Sequence, residues 1–261
     1  MANAQRQDRQ GVLILAACAV VLGLGVGLAA YLEQSTPKLD PVTLRSIGRP
    51  STGTVSVLID RTDPLTTAEQ RALVDRMREL DLHGLRSNDL LTVWELGTTE
   101  EGPLRQVFAK YFPGREANRL WGNPEATAAR CDNQFWSQLL AALRSIPTHA
   151  GSSRSPLLAA IHELSEQEEF TSHTTARRVV VVSDLMENSP AVSFYRKRPD
   201  FAEFRTTPAF PALRADLRGA VVEVLYITRP CETPVDAARV REFWRACFRH
   251  EGAASVSLER L

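Results

Sequence analysis

Two stretches, "TVSVLID" at 54–60 and "RRVVVVSD" at 177–184, are near-continuous runs of apolar, mostly β-branched residues, and each stops on an aspartate. A strand with one wet face alternates polar and apolar residues. A strand without alternation is covered on both faces, as in the centre of a parallel sheet flanked by helices. The two runs therefore restrict the chain to α/β architectures.

The segments between and after them fit that restriction. Thr66 and Glu69 in "TTAEQ" have capping-box spacing, and the apolar residues of "ALVDRMREL" recur at helical intervals. "DLLTVWELG" reads as a strand, "CDNQFWSQLLAALRSI" and "LLAAIHELSEQ" as helices, "GAVVEVLYIT" as a strand, "VDAARVREFWRACFRHEG" as an amphipathic helix and "ASVSLERL" as a short final strand. Strands alternating with helices predict a doubly wound, mostly parallel sheet with helices on both faces. Residues 98–130, dense in Gly, Pro and Asn, read as an insertion with little regular structure.

The organisation is a tail at 1–10, an apolar run at 11–31, a linker at 32–51 and one domain at 52–261. "GVLILAACAVVLGLGVGLAAY" at 11–31 carries no charge and has the length of about 20 residues that a membrane-crossing helix needs. An uncleaved single-pass anchor is expected. The alternatives are a cleaved signal peptide and a lipoprotein signal ending at Cys18. Arg6 and Arg9 precede the run while Lys38, Arg45 and Arg49 follow it, so orientation rests on the short N-terminal tail staying inside, with the domain outside the cytoplasm. The arginine-heavy, lysine-poor composition suits a bacterial inner-membrane setting. Acidic and basic residues both total 31, which disfavours a general polyanion binder, and no specific nucleic acid is expected. No cysteine spacing suits zinc; Cys231 and Cys247 could bridge or remain buried thiols.

In doubly wound sheets ligands sit beyond the carboxyl ends of the strands. Asp60 and Asp184 end two central strands there, Thr62 and Asp63 follow the first, and the loop "GSSRSP" brings Ser153 and Ser155 to the helix before the second. Carboxylates and hydroxyls without His or Cys are hard oxygen ligands, suited to Mg²⁺, Mn²⁺ or Ca²⁺. The same residues can instead bond strand-end backbone, form a turn before Pro64, or cap a helix.

On these residues the chain resembles the von Willebrand factor A (vWA) family, whose metal-ion-dependent adhesion site uses Asp-x-Ser-x-Ser after the first strand, a Thr in a later loop and an Asp after a middle strand. The resemblance places Asp60, Thr62, Ser153 and Asp184 in those positions, with Asp63 and Ser155 as additional candidates. It departs at Pro64, where the second hydroxyl should stand. It implies a non-enzymatic module that engages a protein partner, through a carboxylate of that partner on the metal. A metal-free scaffold of the same fold is a second possibility. "DRTDPLT" also resembles the first motif of haloacid-dehalogenase phosphohydrolases, with Asp60 as nucleophile, but no lysine occurs between Lys110 and Lys197 to serve that chemistry. The five histidines are scattered, Trp121, Trp136 and Trp244 read as core residues, and "FYRKRPDFAEFR" at 194–205 interleaves aromatic and basic residues in the manner of a nucleic-acid or lipid contact, with a solvated loop as the plainer reading.

Overall fold

A computed structural model describes residues 16–28, 30–31, 38–62, 64–99, 102–115, 123–146, 154–171, 176–229 and 236–261. Its centre is a six-stranded sheet of order β3-β2-β1-β4-β5-β6. The strands are β1 (Gly53–Asp60), β2 (Leu90–Thr99), β3 (Gly102–Tyr111), β4 (Ala176–Ser183), β5 (Ala220–Tyr226) and β6 (Ser255–Arg260). All neighbours run parallel except β2 and β3, which form an antiparallel hairpin at one edge. The chain builds outward from β1 to β3, then returns to lay β4 on the other side of β1. The order therefore reverses between β1 and β4, where such sheets open a crevice.

Period-two alternation divides the core. Val55, Val57 and Ile59 of β1, with Val180 and Val182 of β4, pack on the face covered by α1 (Thr67–His83) and by a continuous helical stretch. That stretch runs from α2 (Pro124–Arg130) through a π-helical turn at Cys131–Trp136 into α3 (Ser137–Arg144). Leu58, Val179 and Val181 point the other way, towards α4 (Leu157–Glu166), α5 (Glu168–Thr171) and the C-terminal helix α8 (Ala237–His250). Every residue of β1 is buried, as its unbroken apolar run requires. Two short helices, α6 (Phe201–Phe204) and α7 (Phe210–Leu213), lie in the long connection from β4 to β5.

Several sequence expectations are corrected. Residues 98–130 hold the end of β2, strand β3 and helix α2, so the described part of the expected insertion is largely regular. An edge strand is covered on one side only and tolerates charge, as at Arg105 and Lys110, which erased the buried-strand signature. The linker expected over 32–51 is docked on the domain from residue 38. Leu44 is buried in the α1-side core, Tyr111 N donates to Thr43 O at 2.8 Å, and Ser46 N donates to the buried Asn88 side chain at 2.9 Å. The segment 194–205 is not simply a solvated loop, since Phe194 and Phe204 are buried and stack edge-on against Phe243 or its neighbours.

Trp136 and Trp244 are core residues as expected, and Cys247 is a buried free thiol; Trp121 and Cys231 lie outside the described residues. Of the apolar run at 11–31, residues 16–28 and 30–31 are helical, with Val20, Leu22, Leu24 and Val26 exposed, while 11–15 and 29 lie outside the described residues. Among the described residues, no helix is long and apolar enough to cross a membrane.

Candidate functional site

The tips of β1 and β4 gather buried polar side chains at the edge of the core. Ile59 pairs with Val182, which sets Asp60 beside Ser183, and both share the parity of Leu58 and Val181, the face covered by α4. Ser183 Oγ donates to Asp60 Oδ2 at 2.8 Å. Ser155, just before α4, donates to the same oxygen at 3.2 Å. Thr62 donates to Oδ1 twice, through its backbone N–H at 2.9 Å and its hydroxyl at 2.6 Å. Asp60 is only 4% exposed, and burial pushes its carboxyl above the usual range even against these hydrogen bonds.

The loop segments that deliver the hydroxyls are themselves fixed. Ser155 forms an antiparallel bridge with Asn188, exchanging backbone hydrogen bonds of 3.0 and 2.9 Å. The turn after β1 is tied to α1 through the capping box, with Thr66 N donating to Glu69 at 2.7 Å and Glu69 N to Thr66 Oγ1 at 3.2 Å. Arg229 donates to both oxygens of Glu69 and, at 2.9 Å, to Pro64 O. Beside Asp60, Arg61 reaches Glu95 on β2 at 2.6 Å, and Arg105 on β3 holds the same Glu95 oxygen at 2.6 Å. Glu95 is wholly buried, so the two guanidiniums offset its charge where water cannot.

Of the sequence-predicted residues, Asp60, Thr62 and Ser155 are brought into direct contact. Asp184 lies at the same rim, 9% exposed, and its Oδ1 accepts from Met186 N at 3.0 Å in a tight turn where Leu185 adopts φ 64°. Asp63 and Ser153 lie outside the described residues. Ser183 was missed. Strand parity identifies it only once the β1–β4 register is known, because the residue beside Asp60 across the parallel pair shares its face, and that is Ser183 rather than Asp184.

Glu187 was also missed as a buried member of this region. Its Oε2 accepts from Leu158 N in the first turn of α4 at 2.8 Å, while Oε1 has no partner among the described residues. Burial raises its pKa to about 7, hydrogen bonds at the helix start pull it down, and the Asp60 charge adds to the rise. No sequence signal marks it, since a lone Glu in a loop is ordinarily solvated.

The donor set is made of carboxylate and hydroxyl oxygens, which fits a hard divalent cation in kind. Each hydroxyl that donates its hydrogen to Asp60 keeps oxygen lone pairs for another partner. Two features oppose a full adhesion-type shell. Pro64 has no side-chain donor, and four protein donors already occupy the roughly four lone-pair positions of Asp60. Among the described residues, no group of three His, Cys, Asp or Glu is placed to hold a metal. The geometry also gives the phosphohydrolase alternative no open nucleophile, because both Asp60 oxygens are engaged and shielded.

No family model matches the chain, and no curated protein matches it. Among solved structures, it is similar to BatB, a conserved hypothetical protein from Bacteroides thetaiotaomicron (13% identity, 80% of this chain and 91% of that one, TM-score 0.43). It is also similar to the SpRpn10 VWA domain (11%, 80% and 88%, TM-score 0.41) and to an aerotolerance-related membrane protein from Bacteroides fragilis NCTC 9343 (14%, 80% and 90%, TM-score 0.41). Likenesses of this size concern the course of the chain alone and say nothing of activity.

Proposed function

We propose that the chain is a membrane-anchored, vWA-like binding module that engages a protein partner through a divalent cation at the tips of β1 and β4. One observation carries this reading. Hydroxyls from three separated segments, Thr62, Ser155 and Ser183, all aim their hydrogens at the Asp60 carboxylate. That arrangement polarises the hydroxyl oxygens and leaves lone pairs of Thr62 and Ser155 available as ligands, whereas Ser183 Oγ also accepts from Leu185 N at 2.8 Å, with Asp60 standing behind them as the compensating charge. Thr62 and Ser155 would hold Mg²⁺, Mn²⁺ or Ca²⁺, Asp184 would supply a second carboxylate from the same rim, and Asp63 and Ser153 are further candidates. A bound cation of this kind supplies a Lewis-acidic position for a partner's carboxylate. The module binds without turnover. The apolar run at 11–31, whose described part exposes its aliphatic side chains, serves as the anchor in a bacterial inner membrane, with the domain on the periplasmic side.

The saturated Asp60 and the Pro64 substitution favour a second reading, a metal-free scaffold in which the same hydrogen bonds staple three loops together. Isothermal titration of the full chain with Mg²⁺ and Mn²⁺ separates the two. Uptake that disappears in Asp60→Ala and Asp184→Ala supports the cation site; no uptake by the wild type favours the scaffold. Mg²⁺-dependent release from a generic phosphoester, abolished by Asp60→Asn, would overturn both.

A further inference from the structure

A cavity of about 260 Å³ opens in the β4–β5 connection, between the loop at 189–200 and the α6–α7 segment. Its apolar lining includes Val192, Phe194, Phe204 and Phe243, and its rim carries Arg196 and Arg198. Lys197 also lies there but is paired with Glu203, and Asp200, in the same lining, accepts from Glu203 N at 3.1 Å as the cap of α6, which leaves the two arginines in excess. Neither Arg196 nor Arg198 has an ion-pair partner among the described residues, and both are exposed. Ser193 is also among the lining residues, although its Oγ is enclosed.

We infer that this cavity is a docking site for an acidic segment of a partner protein that carries an aromatic or branched apolar side chain. The apolar side chain seats among Phe194, Phe204 and Val192. Flanking carboxylates meet Arg196 and Arg198. Size favours a side chain with its backbone over a whole small molecule, whose sites usually run to roughly 300–1,000 Å³. Charge complementarity chooses an acidic partner. The cavity also adjoins the candidate site, since Asn188, next to its lining residue Ser189, bridges Ser155.

The test is fluorescence anisotropy of labelled acetyl-Asp-Phe-Asp-amide with the full chain in nonionic detergent, against empty micelles. Excess chelator is present throughout, so the outcome is independent of any cation at Asp60. Saturable binding with Kd of about 1 mM or tighter is expected. The acetyl-Asn-Phe-Asn-amide peptide should bind about tenfold more weakly. The Arg196→Ala/Arg198→Ala protein should bind both peptides alike, and Ala191→Trp, at an exposed lining position, should abolish binding. Absence of saturable binding, equal affinity of wild type for the two peptides, or indifference to these variants overturns the inference. So does binding of oligo-dT or anionic vesicles through the two arginines while the peptide stays unbound.

Discussion

Stability should fall as pH rises from 5 to 8, and two buried glutamates set the size of the effect. Glu187 and Glu251 are both pushed by burial from 4.5 to about 7. Glu187 faces the start of α4, and Glu251, just past the end of α8, accepts from Ala215 N at 3.1 Å. An acid whose folded pKa lies above its unfolded one holds its proton more tightly when folded. Its stabilisation is complete below about 4.5 and is lost as pH climbs through about 7. Each pKa interval is worth about 3 kcal/mol, of which about 2.5 falls between pH 5 and 8, so the pair could cost up to about 5 kcal/mol across that range, an upper figure because local relaxation weakens burial. Asp60, also raised, adds in the same direction. Asp216, lowered to about 2 by hydrogen bonds from Arg218, titrates below this window and does not offset it. Urea unfolding followed by tryptophan fluorescence at pH 5 and pH 8 measures the difference. Glu187→Gln and Glu251→Gln should each remove about half of it, mainly by raising stability at pH 8. A pH difference below about 1 kcal/mol in the wild type, or one of opposite sign, would refute the reasoning.

Thr66→Ala removes one arm of the capping box at α1 and should cost about 1 kcal/mol by urea unfolding, with no change in cation uptake. Glu95→Ala strands Arg61 and Arg105 beside a dry core; because Arg61 is 19% and Arg105 59% exposed, both can turn to water, and a loss of about 1–3 kcal/mol is expected rather than the larger cost of a fully enclosed pair.

What was legible in the sequence follows from how strongly each segment is buried. β1 and β4 announce themselves because both faces are dry, and α1 and α8 because one face is. β3 does not, since an edge strand carrying Arg105 and Lys110 has the composition of a loop. Leu44 gave no warning either: one apolar residue in a Pro-rich stretch becomes buried only through the tertiary contact of residues 38–50 with β3 and Asn88. At the candidate site, Asp60, Thr62 and Ser155 could be named from strand ends and loop chemistry. Ser183 required the register between β1 and β4, which no local pattern encodes. Glu187 and Glu95 depend wholly on packing, because a buried glutamate and a solvated one look the same in one dimension.

The proposed site needs an ion that retains an exchangeable position for a carboxylate. Water-proton relaxation in the presence of Mn²⁺ tests this directly. The full chain should enhance relaxation, added acetate should reduce the enhancement by displacing exchanging water, and Asp60→Asn should abolish it. No enhancement in the wild type, or an enhancement untouched by both acetate and Asp60→Asn, would contradict the account.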